Sequence, residues 1–370
     1  MSAAPLSRRA LGRAVLARQL LAERATMTVL EAVEHLVGLQ AQAPKPPYFG
    51  LWSRLAGFDP EELSRLLQER EVVRIGVMRG TVHLISARDA VQLRPLTQPV
   101  YERGLRSSRH GKALGGLDPR KVTDAARELL AQGPRTPKEL AAGLGPRWPE
   151  IDPDELSMTA RYLLPLVQLP PRGLWGRSGG PVLDTAESWL GRPLAVEPCV
   201  ETVVLRYLAA FGPASVRDAQ TWSGLTRLSE VLERLRPQLR VFRDEGGTEL
   251  FDLPDAPRPA PDTPLPARFI AEYDNLVLSH ADRTRLMDEE VRASLASRNG
   301  QVPGTVLLDG RVRGTWKADT SRKTSARLTV TTFGPLSKRE QAELEEEGEH
   351  LLRFTAGDDR PRTVVFEETP

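Results

Sequence analysis

At 370 residues, 40% hydrophobic and 27% charged, the chain is too long for one ordinary core and predicts two to four folded units of a globular protein. No apolar run approaches the length of a membrane span, and a single cysteine, Cys199, excludes an intramolecular disulfide framework and a cysteine-rich zinc site. The net charge of +2 excludes little, yet 44 of the 51 basic residues are Arg, whose planar donor fork suits phosphates and guanine edges. Codon bias in a GC-rich genome would produce the same excess.

Along the chain, Arg8, Arg9, Arg13 and Arg18 interrupt every apolar stretch of the first segment, so no signal-peptide core is expected and a reducing cytoplasm is the predicted location. Helices are predicted near Pro5 to Leu21, Val29 to Leu39, Tyr48 to Leu55 and Pro60 to Glu69, followed by a β-rich segment, Val72 to Ile85. Thr28 and Glu31 form a capping box for the second helix. Its apolar stripe is Val29, Val33, Leu36 and Val37, and the next position on that face is Gln40, an amide where an apolar side chain is expected. Pro44 biases Ala43 out of a helix, which leaves Gln42 where the chain departs. Residues two apart in an extended segment point the same way, so Gln40 and Gln42 are expected to face one cleft. The plainer alternative is that Gln40 ties down backbone groups while Gln42 is a solvated loop residue. Arg79 to His83 reads as a strand with polar residues, either solvated or lining a site.

A weak repeat follows. Val122 to Leu144 and Val203 to Leu225 each run helix, Gly-Pro, a hydroxyl two residues later, then a second helix. Thr136 and Ser215 are the hydroxyls, placed to cap. Each copy continues into a third helix and a strand pair, predicted at Leu166 to Leu169 with Leu174 to Gly176, and at Leu239 to Phe242 with Glu249 to Asp252. Three helices and a hairpin make the winged-helix plan. The predicted units are 1–115, 116–198, 199–256 and a C-terminal α/β region, 257–370, entered through the Pro-rich Pro254 to Pro266. The fold class is therefore α+β with tandem winged helices. Tyr101 to Lys121 and Arg311 to Arg327 are basic tracts, whereas Glu340 to Glu349 is an acidic helix opened by a Ser337 to Glu340 capping box.

Asp309-Gly310 is the strongest hairpin signal in the chain. On the strand after it, Arg311, Arg313, Thr315 and Lys317 share one face and Val312 and Trp316 the other, a design suited to neutralising phosphates. With Arg322, Lys323, Arg79 and His83, these make the expected DNA-binding set. His280 and Asp282 lack the accompanying His or Cys that a metal centre needs, so neither a metal nor a cofactor is expected. No Walker loop, zinc-protease motif or nucleophile elbow occurs.

Leu36-Val37-Gly38-Leu39-Gln40-Ala41-Gln42-Ala43-Pro44 resembles the signature of the AlkZ-like winged-helix DNA glycosylases. The resemblance extends through Arg79 to His83, Glu272 to Arg283 and Asp309 to Trp316, in the family's order and over nearly the whole chain. It implies a C-shaped DNA-binding surface, a catalytic Gln-apolar-Gln motif on Gln40, Ala41 and Gln42, and removal of N7-alkylated purines from double-stranded DNA. A neighbouring branch carries a carboxylate in place of the second Gln; this sequence does not. Some members protect bacteria against their own DNA-alkylating antibiotics, which would place the protein at the nucleoid, where a monomer suffices. A non-enzymatic winged-helix regulator of transcription is the alternative that the repeat alone permits.

Overall fold

Capping hydroxyls and carboxylates begin most of the helices. Ser7 opens Arg8–Arg18, Thr28 opens Val29–His35 through the expected capping box, and Asp59 opens Pro60–Gln68. The structure is a computed structural model that describes residues 4–295, 300–320, 324–357 and 359–369.

The fold is α+β and contains three antiparallel or mixed sheets. The first has the order β1 (Leu39–Gln40), β3 (Val82–Ser86), β2 (Val72–Gly76), β4 (Leu166–Gln168) and β5 (Leu183–Thr185). β6 (Arg240–Arg243) and β7 (Glu249–Asp252) pair alone. The last sheet runs β12 (Arg362–Glu368), β11 (Ala326–Thr332), β10 (Arg311–Asp319), β9 (Gly304–Leu308) and β8 (Arg268–Ile270). Only β11 and β12 pair in parallel within it. The acidic helix Lys338–Ala356 covers this sheet, burying Leu344, Leu351 and Leu352 against Leu328 and Val330.

The order of three helices and then two strands occurs twice. Pro119–Leu130, Pro137–Leu144 and Pro153–Leu163 precede β4 and β5, and Val200–Phe211, Val216–Ser223 and Leu228–Leu235 precede β6 and β7. Thr136 and Ser215 cap the second helix of each set, each through a capping box. In the first set the expected partner strand is displaced: Leu174 to Gly176 forms turns, and Leu183–Thr185 pairs with β4. β4 also pairs with β2, through Arg74 opposite Gln168 and Ile75 opposite Val167, so the first five strands are one sheet although two predicted units contribute to it.

Two buried ion pairs brace the N-terminal region against the rest. Arg18 grips Asp252 at 2.6 and 2.9 Å, and Arg54 grips Asp274 at 2.8 and 2.9 Å. Each is bidentate and almost wholly shielded from water, a geometry in which removal of one partner costs about 3–5 kcal/mol. The second pair fixes the segment that carries Asn275 next to the strand that carries Gln40.

Candidate active site

Local backbone chemistry decides where Gln40 sits. The helix expected to reach Leu39 stops at His35. Val37 N–H donates to Glu34 O at 3.2 Å and Gly38 N–H to Val33 O at 2.9 Å, the double closure of a Schellman motif. Its left-handed position, normally glycine, is Val37 at φ 54. A β-branched residue there is strained, on the order of 1–2 kcal/mol, and is held by complete burial. Gly38 follows at φ 88, where a Cβ would lie 2.3 Å from Ile85 Cγ2 and 2.9 Å from Leu84 O. Only glycine lets the chain turn this closely onto β3. Leu39 and Gln40 then pair with Leu84 and His83. Gln40 is thus a strand residue, and the missing apolar residue of a helical stripe is not its explanation.

The side chain of Gln40 is 8% exposed. Its Oε1 accepts from Arg79 Nη2 at 2.8 Å. The same guanidinium donates to Asn275 Oδ1 at 2.6 Å and, through Nη1, to Trp222 O at 2.8 Å. Asn275 Nδ2 donates in turn to Gly38 O at 3.2 Å. Arg79 stands at φ 55, half-buried, with no carboxylate within ion-pair distance among the described residues. Burial, and after it the neighbouring Arg283, lowers its pKa to about 10, so it remains a cation at neutral pH.

His83 lies beneath this group with 0% exposure, which leaves it no surface for a duplex. Burial, and then Arg79, pushes its pKa down to about 3. The neutral ring places Nδ1 3.1 Å from Thr81 O and Nε2 3.4 Å from Arg79 Nη2. A proton on Nδ1 serves the Thr81 carbonyl, which can only accept, and turns the bare Nε2 towards Arg79, whose Nη2 hydrogens are already directed at Gln40 and Asn275.

Gln42 has different surroundings. Ala41, fully buried, donates to Val82 O at 2.7 Å, and the ladder ends there because Ala41 O is taken by Arg74 at 2.8 Å. The exposed Gln42 side chain folds back so that its Oε1 accepts from Val82 N–H at 3.4 Å. The two glutamines line separate hollows. Gln40 borders a cavity of about 10 Å³ with Gln19, Glu272, Asp274 and Asn275. Gln42 borders one of about 230 Å³ with Tyr101, Met158, Arg161, Tyr162 and Gln168. A cavity needs roughly 10–15 Å³ to admit one water, so the first has room for a water and none for a nucleobase.

The predicted DNA-binding residues are dispersed. The Asp309-Gly310 turn joins β9 and β10 as expected, but Arg9 and Arg13 of the first helix hold it by ion pairs to Asp309. Arg311 pairs with Asp288 at 2.6 Å and Arg313 with Glu340 at 3.0 Å. Both are part of the alternation, with Val312, Gly314 and Trp316 buried and Lys317 exposed. Among the described residues Lys317 has no carboxylate within 4 Å. Arg322 and Lys323 lie outside the described residues. His280 turns its Nε2 to Phe211 O at 3.0 Å while the exposed Asp282 caps Thr284 N–H, so the two share no ligand-binding geometry. Sequence reasoning gave no role to Asn275 and had no local signal for the Trp222 carbonyl, which arrives from 143 positions away.

A sequence model of the family described as DNA glycosylase AlkZ-like matches residues 33–354. A curated relative from Streptomyces sahachiroi, an interstrand DNA cross-link repair glycosylase, is 24% identical over 374 residues, covering 94% of this chain and 96% of that protein. The solved structure of Streptomyces sahachiroi DNA glycosylase AlkZ matches with a TM-score of 0.80 at 22% identity, covering 99% of this chain and 100% of that one. The structural match shows a common fold, and the family match spans most of the chain: the protein belongs to the AlkZ-like DNA glycosylase family.

Proposed function

We propose that the protein hydrolyses the N-glycosidic bond of N7-alkylated purines in double-stranded DNA and leaves an abasic site, with Gln40 and Gln42 as its catalytic residues. The observation that carries this reading is an immobilised neutral amide, Gln40, beside a cavity the size of one water. A glutamine cannot take a proton at physiological pH, but it can hold a water by donating to it or accepting from it. Such help is too little for an undamaged base. An N7-alkylpurine is already cationic and departs as a neutral base with the C1′–N9 electron pair, so placement of water at the sugar carbon suffices; the water oxygen forms the new C1′–O bond and its surplus proton passes to solvent. Well-oriented placement alone lowers a barrier by up to about 7–11 kcal/mol.

The two amides divide the work. The carbonyl of Gln40 is occupied by Arg79, which leaves its NH₂ group to donate to a water or a sugar oxygen; Gln42, on the neighbouring hollow, is held only by Val82 N–H at 3.4 Å and would have to leave that contact to accept from the same water. Glu272, exposed at the rim of the Gln40 cavity, supplies negative charge to the oxocarbenium-like sugar. The Gln40 cavity admits a water and not a base, so an extruded base would have to lodge in the larger hollow beside Gln42, and a bulky or cross-linked adduct would be read from outside both. Lys317, with Arg322 and Lys323 beyond it in sequence, contributes phosphate contacts.

The test is incubation with duplexes containing 7-methylguanine or a bulkier N7 adduct, followed by alkali to cut at abasic sites. Strand cleavage that depends on the protein is expected. No release from either duplex would overturn the reading in favour of a DNA-binding regulator, which would also prefer one sequence over others.

A further inference from the structure

We propose that Arg79 and Asn275 are positioning residues that lock the Gln40 amide in one orientation, and that Arg79 does not contact the duplex. The inference rests on the reading of Gln40 as a catalytic residue. A glutamine amide rotates about a broad, nearly two-fold terminal torsion, and its two ends have opposite hydrogen-bonding character. An unrestrained Gln40 would therefore present its oxygen to the cavity about as often as its NH₂.

Arg79 removes that freedom. A guanidinium has donors and no acceptor, so at 2.8 Å it accommodates only the oxygen of Gln40; the rotated amide would set donor against donor. Among the described residues no protein acceptor takes the Gln40 Nε2 hydrogens, which are left for a water or a sugar oxygen. A charged donor also polarises the amide and makes those hydrogens stronger donors.

Arg79 can act as a lock because it is itself immobile. Its Nη1 is fixed on Trp222 O and its Nη2 on Asn275 Oδ1, with the neutral His83 ring 3.4 Å from that Nη2. Asn275 ties the arrangement back to Gly38 O, at the start of the strand that bears Gln40. The loop of Asn275 is anchored by the buried Arg54–Asp274 pair one residue away. All the assigned donors of Arg79 point into the protein, which is a poor arrangement for gripping phosphate.

Arg79→Gly isolates the side chain, because glycine adopts φ 55 without the strain that alanine would add. The single-turnover release of 7-methylguanine should fall about a hundredfold, the usual cost of a misplaced reacting group. Affinity for an unmodified duplex and its salt dependence should be retained. Free guanidinium ion, kept below concentrations that unfold the protein, should recover part of the lost rate in Arg79→Gly and none in the Arg79→Gly, Gln40→Ala double variant. Asn275→Ala should show a smaller loss of the same kind. An unchanged rate, a loss that guanidinium does not recover, or a loss traced to weaker and less salt-sensitive DNA binding would each overturn the proposal. No release of 7-methylguanine by the unaltered protein would instead overturn the glycosylase reading on which it rests.

Discussion

Gln40 and Gln42 are two residues apart in one motif, yet they occupy opposite regimes. Gln40 ends a strand, is buried, and accepts from an arginine that is itself held on two further oxygens. Gln42 lies just beyond the ladder, exposed, with one long contact to Val82 N–H. The difference teaches that identical side chains can be divided into a fixed element and an adjustable one by where a strand stops. A preorganised group loses nothing to reorganisation when the substrate arrives, whereas a loose group can follow lesions of different size.

Several substitutions break that comparison if it is wrong, and the strongest acts on the bracing behind Gln40. Asp274→Ala leaves Arg54 buried without its partner and should lower unfolding free energy by about 3–5 kcal/mol, measured by urea denaturation. Gln168→Ala, beside the Gln42 cavity, should cost far less, because Gln168 is only partly buried. Equal losses would show that the two sides are not differently braced. Next, Gln40→Ala should slow single-turnover base release by about a hundredfold or more, the scale for removing a preorganised donor. Gln42→Ala should slow it about tenfold, the scale of one hydrogen bond. Inverted magnitudes would make Gln42 the principal group.

Acid sharpens the contrast because the Gln40 side contains a buried neutral imidazole. The folded pKa of His83 is about 3, below the ordinary value of about 6.5 that the unfolded chain regains. Between those limits the unfolded state binds the extra proton, so stability is present above about pH 6.5 and declines as pH falls towards 3. The slope approaches about 1.4 kcal/mol per pH unit for this group. His280, also lowered to about 3 by burial, acts in the same direction. His83→Gln should therefore flatten the acid limb of thermal stability without abolishing it; an unaltered limb would contradict the burial of that ring. The smallest effect is expected remote from both glutamines. Lys317→Ala should reduce the slope of log affinity against log salt by about one and leave the rate at saturating enzyme unchanged.

Local signals in the sequence carried a good part of this fold. The Thr28 and Ser337 capping boxes, the Asp309-Gly310 turn, the alternation from Arg311 to Lys317 and the β6–β7 hairpin all depend on residues within a few positions of one another. Expectations failed where distant segments decide. The helix after Thr28 ends early because Val37, a residue that avoids left-handed backbone, is held there by its burial. Leu174 to Gly176 lost its place as a strand to Leu183–Thr185, which pairs with β4 and whose Leu183 also meets Arg135. The motif could be picked out from its residues, but the partners of Gln40 could not. Arg79 is 39 positions away and Asn275 a further 196. Nor did the excess of basic residues on β10 reveal that Asp288 and Glu340 would engage two of them.

The pairing of β2 with β4 has a mechanical consequence. Arg74 and Ile75 pair with Gln168 and Val167, so the Gln40 region and β4, the strand that follows the helix Pro153–Leu163, belong to one sheet, not two leaves about a hinge. To swing apart they would have to rupture a sheet in its interior. If one duplex is to touch both, the DNA must supply the curvature, at an elastic cost of order 1–6 kcal/mol for a bend of 40–90°. Stiffness in the protein thereby leaves the bending to any duplex that spans both, and base steps that unstack easily make that bend least costly.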